Sequence, residues 1–426
     1  MSPAGRPGRR SAPVLAAAGA LLSAGVVLLI GAALAPAAAA VALPRLTVRA
    51  GALYAPATGQ TLYADHAQDE LAVASTTKLM TALITLEHVR DLGTVFTQNN
   101  YVPAPVDSQI GLAPGERMTV HDLLIALMLP SADDAAEDLA YNLGHGSVAR
   151  FVAMMNERAR QLGLRHTHYA TPSGLDTVGN HSSAADLNRL AAYDLSHWAF
   201  FARVVALGHA VLHSGSHLRD VINRNTLVRE YPWIDGVKTG HTAAAGYVLV
   251  ASGHRNGMRL VSSVLGTTSE TARDANTLAL LDWGFATFRP RTPVRGGEVL
   301  ARLTVTDQPG LRPALIAARS LTRIVNRADR VAVRVRAPRV VTGPLRRRAS
   351  LGSATVLVNG RPVDQIPLLL ARAVPAVSAL TLAGRFLTRP LTLLLIVVAA
   401  GAVVAVALRA RQRRRTRETR RELEAA

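Results

Sequence analysis

The stretch "ASTTKLM" (Ala74–Met80) decides how this chain is read. Its Lys78 is one of only two lysines among 426 residues; the other is Lys238 in "DGVKTGHT" (Asp235–Thr242), against 46 arginines. A helix that starts near Ser75 carries Leu79, Met80, Leu83, Ile84 and Leu86 at apolar spacing and puts Ser75 and Lys78 on one face, one turn apart. Serine is a poor nucleophile until a base takes its proton. Arginine keeps its proton in proteins, whereas lysine gives it up when burial and neighbouring positive charge lower its pKa. The free N–H groups and dipole of a helix start favour a developing anion. Acyl transfer at Ser75 with Lys78 as base is therefore the chemistry this spacing suits.

The other lysine asks for a different role. "KTG" (Lys238–Gly240) at a strand offers an ammonium, a hydroxyl and a glycine past which a peptide backbone can come close, and a strand edge takes an extended peptide as one more strand. After it, "AGYVLVASG" and "MRLVSSVLG" alternate as strands joined through Asn256-Gly257, a strong hairpin signal, so K-T-G is expected at the start of an antiparallel strand. Ala52–Tyr63 reads as another hairpin turning at Pro56 and Gly59. Helical patterns cover Val120–Leu143, broken at "LPSADD", then Val152–Leu162, Ser183–Tyr193 and Thr271–Phe288. The break carries Ser131-Ala132-Asp133. Asp133, Asp134, Glu137 and Asp138 share one helical face, which apart from Asp133 is expected to be solvated.

Together these motifs resemble the D-alanyl-D-alanine carboxypeptidases, the low-molecular-mass penicillin-binding serine peptidases. The likeness runs from about Leu53 to Val374 and includes "AVASTTKLMTALITLEH", "LMLPSADDAAEDLA", "TPSGLDTVGNHSSAADLNRLA", "NRNTLV", "DGVKTGHTAAAGYVLV" and "VLVNGRPVDQIPLL". It implies an α/β (α+β) fold: a β-lactamase/transpeptidase-like domain whose antiparallel sheet is flanked by helices, then a small β-rich domain and a C-terminal transmembrane helix. It further implies Ser75 as acylated nucleophile, Lys78 as its base and Ser131 as a proton relay. Lys238 and Thr239, with Gly240, would bind the substrate's terminal carboxylate. The backbone N–H groups of Ser75 and His241 would form the oxyanion hole. The implied partners are a peptidoglycan stem peptide ending in D-Ala-D-Ala and, as covalent inhibitors, β-lactam antibiotics. One position departs from the family's S-x-N: Asp133, a substrate-binding position, replaces a donor-and-acceptor amide by an acceptor-only carboxylate that can pair with either lysine. Transpeptidase or endopeptidase action on the same site, or a catalytically weak penicillin- or wall-binding module, stay open. No E-x-x-L-N-like segment follows the second motif, which argues against a β-lactamase.

The ends of the chain place it. Arg6, Arg9 and Arg10 precede an uncharged stretch and small residues around Ala40, so 1–42 reads as a signal peptide or an N-terminal anchor. Leu391–Leu408 is eighteen uncharged residues, long enough to span a bilayer, and the Arg-rich 409–426 marks a cytoplasmic tail. Between them, 45–288 reads as the catalytic domain and 289–375 as the small β domain, both extracytoplasmic at the cell membrane. The formal charge of +19 fits a membrane surface or an anionic wall polymer, with no nucleic acid among the expected partners. The chain has no cysteine, so thiol catalysis and disulfides are excluded. His166 and His168 lack a carboxylate at helical spacing, so no metal is expected, nor any cofactor; Arg346–Arg348 reads as a solvated basic loop.

Overall fold

The computed structural model describes residues 28–30, 42–99, 101–306, 308, 310–387 and 389–424. Apart from the short strand Leu28–Ile30, residues 1–41 lie outside it, and with them the signal-or-anchor reading. The described chain clusters into two units: one within 34–292 plus 322–329, the other within 293–321 plus 330–426, with Leu28–Ile30.

In the larger unit, strands β1 (Ala50–Ala55), β2 (Gln60–Asp65), β3 (Ile234–Thr242), β4 (Gly246–Arg255) and β5 (Met258–Thr267) form an antiparallel sheet ordered β2-β1-β5-β4-β3. Side chains alternate across its two buried faces, as the two-residue period of a strand requires. On β4, Val248 and Val250 join a core with Leu79, Leu83 and Leu187, while Leu249 and Ala251 join Leu280, Leu281 and Phe285. The β4–β5 hairpin turns at Asn256 and Gly257, whose φ of 51° and 71° suit the primed turn that an Asn-Gly pair favours.

The helices are α1 (Lys78–His88), α2 (Val120–Met128), α3 (Asp133–Leu143), α4 (Val148–Gln161), α5 (Ala184–His197) and α6 (Glu270–Thr287). Thr119, Ser147, Ser183 and Ser269 cap α2, α4, α5 and α6, each side chain accepting from the N–H three residues on. Such caps contribute about 1 kcal/mol each. Helix α1 has no side-chain cap; the chain enters it through a 3₁₀ turn, Ala74–Thr77, that contains Ser75.

Two expectations are corrected. Lys238–Gly240 do not start a strand. They lie in the second half of β3, a separate edge strand that precedes the "AGYVLVASG" strand. Asp235-Gly236 reads as a turn and hides the start of β3, and the register shift between Ile234 and Gly236 accommodates it. The acidic face of α3 is not solvated: Asp134 and Asp138 are each 1% exposed. The Asp134 carboxylate accepts from the backbone N–H groups of Ile110 and Leu112 at 3.0–3.2 Å. Asp138 accepts from Asn142 Nδ2 at 3.1 Å. Partners in a loop more than twenty residues away leave no trace in helical spacing.

The smaller unit holds β6 (Val299–Arg302), β7 (Ala314–Ala317), β8 (Val331–Arg336), β9 (Ser350–Val358) and β10 (Arg361–Leu370), in the order β8-β9-β10-β7-β6. Leu28–Ile30 pairs antiparallel with β8 at the edge. Asn359-Gly360 closes the β9–β10 hairpin, and Val335, Val356, Ile366 and Leu368 lie in the core. Helix α7 (Pro390–Glu424) contains 390–417, among the described residues the one helix long and apolar enough to cross a membrane.

Burial pushes Asp138 up to about 7, against the opposing bonds from Asn99 N–H and Asn142. A carboxyl whose folded pKa lies above its unfolded value lends stability below the unfolded pKa and loses it as pH rises through the folded one. Melts of the wild type at pH 5 and pH 8 are therefore expected to show a fall in Tm that Asp138→Asn diminishes. An equal fall in both proteins would refute this assignment.

Candidate active site

Three segments of the larger unit meet at Lys78. Ser75 is half-buried in the 3₁₀ turn, and Lys78 opens α1 with 0% exposure. Lys78 Nζ donates to Ser75 Oγ at 2.9 Å, to Asp133 Oδ1 at 2.5 Å and to the Ser173 carbonyl at 2.8 Å. All three protons of an ammonium are thereby committed. Burial pushes the Lys78 pKa down, the Asp133 carboxylate opposes this, and the Arg224 charge adds to the lowering.

The turn that carries Ser75 is held in a costly shape. Ala74 has φ 48°, a region that costs a residue with a side chain about 1–3 kcal/mol. Two glycines press on it from different segments. At Gly174, φ 90°, a Cβ would stand 2.0 Å from the Ala74 carbonyl oxygen. At Gly240 it would stand 3.0 Å from Ser75 N and 2.7 Å from Val248 Cγ2. The K-T-G edge of β3 thus runs directly against the Ser75 backbone amide. Asn180 Nδ2 donates to Thr77 Oγ1 at 3.3 Å and ties the 171–180 loop to the same turn.

The remaining candidates take distinct positions. Ser131 sits between α2 and α3 at φ 69°, 2% exposed, and its Oγ has no hydrogen-bond partner among the described residues. Lys238 is 1% exposed and donates to the Thr239 carbonyl at 3.0 Å. Burial pushes its pKa well down, and the Lys78 and Arg224 charges reinforce this. Thr239 is buried; His241 is exposed and stacks on Tyr247 with centroids 4.0 Å apart. A cleft of about 790 Å³ borders this region at Pro130 and Arg224, with Ile110, Leu218 and Ile222 as its apolar lining.

The structure therefore joins Ser75, Lys78 and Asp133 by hydrogen bonds and sets Gly240 against Ser75. It does not bond Ser131 to either. Sequence reasoning missed the Ser173 carbonyl, Gly174 and Arg224. A backbone acceptor has no sequence signal; Pro172-Ser173-Gly174 announces a turn and nothing about where it docks. His166 and His168 have other neighbours, the Glu70 carboxylate at 3.5 Å and the Gly179 carbonyl at 2.7 Å. No group of three metal-ligating side chains occurs among the described residues.

Known proteins resemble much of this chain. The D-alanyl-D-alanine carboxypeptidase family model, Peptidase_S11, matches residues 38–269. The D-alanyl-D-alanine carboxypeptidase DacF of Bacillus subtilis is 28% identical over 320 residues, 73% of this chain and 82% of that protein. Penicillin binding protein 5 of Haemophilus influenzae superposes with a TM-score of 0.66 at 26% identity, covering 78% of this chain and 99% of that one. The Streptomyces K15 DD-transpeptidase superposes at 0.55 with 34% identity, covering 58% and 100%.

The contact at Gly174 predicts its own test. Gly174→Ala combines a side chain at positive φ with a clash against backbone, and is expected to destabilise the fold by about 2 kcal/mol or more. Urea unfolding measures it; a loss under about 0.5 kcal/mol would show that the turn yields easily.

Proposed function

The chain belongs to the D-alanyl-D-alanine carboxypeptidase family, a peptidoglycan-acting group of penicillin-binding serine hydrolases, and on that premise we propose that Ser75 is its nucleophile, acylated by stem peptides that end in D-Ala-D-Ala. The observation that carries this reading is the 2.9 Å contact between Ser75 Oγ and a wholly buried Lys78 Nζ. Lys78, once neutral, takes the Ser75 proton as Oγ bonds to the carbonyl carbon of the penultimate D-Ala. The backbone N–H groups of Ser75 and His241 stabilise the oxyanion. The Ser131 hydroxyl, without a hydrogen-bond partner among the described residues, relays the proton to the leaving nitrogen as the C–N bond breaks and D-alanine departs. Water then cleaves the Ser75 ester, returning the proton to the serine and releasing the shortened stem.

Lys238 and Thr239 hold the terminal carboxylate, with Gly240 and His241 lending the β3 edge to the peptide backbone and Asp133 facing the bound chain. Lys238 is suited to this because it is buried and, among the described residues, its three N–H donors meet one acceptor, the Thr239 carbonyl. A β-lactam presents an acylating carbonyl and a carboxylate to the same groups, leaving a stable ester. No cofactor enters these steps. An amine in place of water would make the reaction a transpeptidation, a second reading favoured by the likeness to the Streptomyces K15 DD-transpeptidase.

The domain reading follows: 45–288 catalytic, 289–375 a small β domain, 391–408 a membrane span, 409–426 a cytoplasmic tail and 1–42 an export signal or anchor. The apolar helix within 390–417 and its arginine-rich end support anchoring at the cell membrane with the catalytic domain outside.

Fluorescent penicillin and a pentapeptide ending in D-Ala-D-Ala test the assignment. Ser75→Ala is expected to lose both labelling and D-alanine release; labelling that survives it would defeat the proposal. Lys238→Met is expected to raise KM about 10- to 100-fold, the loss of one or two charge-assisted bonds. Amidating the peptide's carboxylate is expected to weaken capture by the wild type and to add little in that variant. Since burial lowers the Lys238 pKa, its hold on a carboxylate is expected to fade as pH rises, at lower pH than an ordinary lysine would allow.

A further inference from the structure

The role of Asp133 rests on the Ser75–Lys78 reading above and goes beyond it. The carboxylate is 3% exposed and meets Lys78 Nζ at 2.5 Å, the shortest of that nitrogen's three bonds. The other two acceptors, a hydroxyl and a backbone carbonyl, carry no charge. The charged and titratable groups acting on Lys78 are Asp133 and Glu137 from α3 and Arg224 from the segment before Thr226. Lys238 of β3 acts on it from the strand side. Burial and the two cations favour the neutral amine; the two carboxyls favour the ammonium, and only Asp133 touches it.

We propose that Asp133 is a positioning residue that governs the general base: its carboxylate keeps Lys78 an ammonium, aimed at Ser75 but with no lone pair to offer, so that acylation needs a higher pH than the same site with a neutral amide at 133. The sign is unambiguous. An opposite charge in contact favours the charged form, whereas an amide oxygen can accept the same hydrogen bond without that charge. Removing the charge while keeping the shape frees the amine at lower pH.

The test is the pH dependence of Ser75 acylation by fluorescent penicillin in the full-length chain, wild type against Asp133→Asn. The acid limb is expected to move down by about one pH unit or more in the variant, with about tenfold faster labelling per unit moved at pH values below both limbs. An unmoved limb, a limb moved up, or a variant that melts like wild type yet labels more slowly at every pH would each overturn the proposal. Wild-type labelling at high pH, lost in Ser75→Ala, separates these outcomes from failure of the Ser75 assignment.

A second measurement needs no variant at position 133. Because the chain has two lysines, ¹³Cε-lysine labelling gives two resonances, assigned with Lys78→Arg. In the wild type, Lys238 is expected to lose its proton before Lys78, since Lys78 alone is bonded to the carboxylate. The reverse order would overturn the proposal even if Asp133→Asn failed to fold.

Discussion

Burying one ammonium organises the catalytic unit. An ion taken out of water costs several kcal/mol unless its donors are satisfied. Lys78 has no solvent contact, so its three N–H groups must find acceptors in the protein, and each comes from a different segment: the 3₁₀ turn, the start of α3 and the 171–180 loop. None of these segments can shift without leaving a donor unmet. The lysine therefore acts as a gauge of assembly: Ser75 faces Lys78 only when all three are seated. The φ of Ala74 and the bare Cα atoms of Gly174 and Gly240 follow from how closely the pieces must approach.

The second buried lysine has the opposite condition. Lys238 sits among positive charges and reaches the Thr239 carbonyl. Its environment penalises the cation until an anion arrives, which suits the carboxylate-binding role proposed for it. The economy of lysine in this chain then has a physical reading. A guanidinium carries five donors in a rigid plane and holds its charge permanently. It would leave more donors unmet at 238 and could never act as a base at 78. Elsewhere the chain tolerates arginine where water completes its hydrogen bonds or where, as at buried Arg219, a carboxylate and backbone carbonyls do.

The core of the fold was legible wherever a local rule governs it. Asn256-Gly257 announced its hairpin, and apolar spacing announced α1, α4 and α5. Ser75, Lys78 and the K-T-G triplet were legible because their chemistry restricts residue type. What escaped was set by tertiary contact. The edge strand β3 hid behind Asp235-Gly236. The acidic face of α3 looked solvated because the amides it binds, at Ile110 and Leu112, are remote in sequence. The Ser173 carbonyl could not be read from sequence, since every residue has one.

Position 133 shows how such a site balances folding against reactivity. Lys78, Lys238 and Arg224 place three cations close enough to act on one another's titration. With an amide at 133, the nearest compensating charge would be Glu137, which burial and then the Asp133 charge push up to about 7. Such a site lowers the cost of the crowded cations chiefly by discharging a lysine, which is what a base requires. A carboxylate at 133 compensates the charge directly, so the folded state gains an ion pair and the base loses its lone pair. Its removal would also leave Glu137 easier to ionise, returning part of the lost negative charge one turn along the same helix. The carboxylate therefore shifts the balance towards a well-held resting site, at some expense in the readiness of its nucleophile.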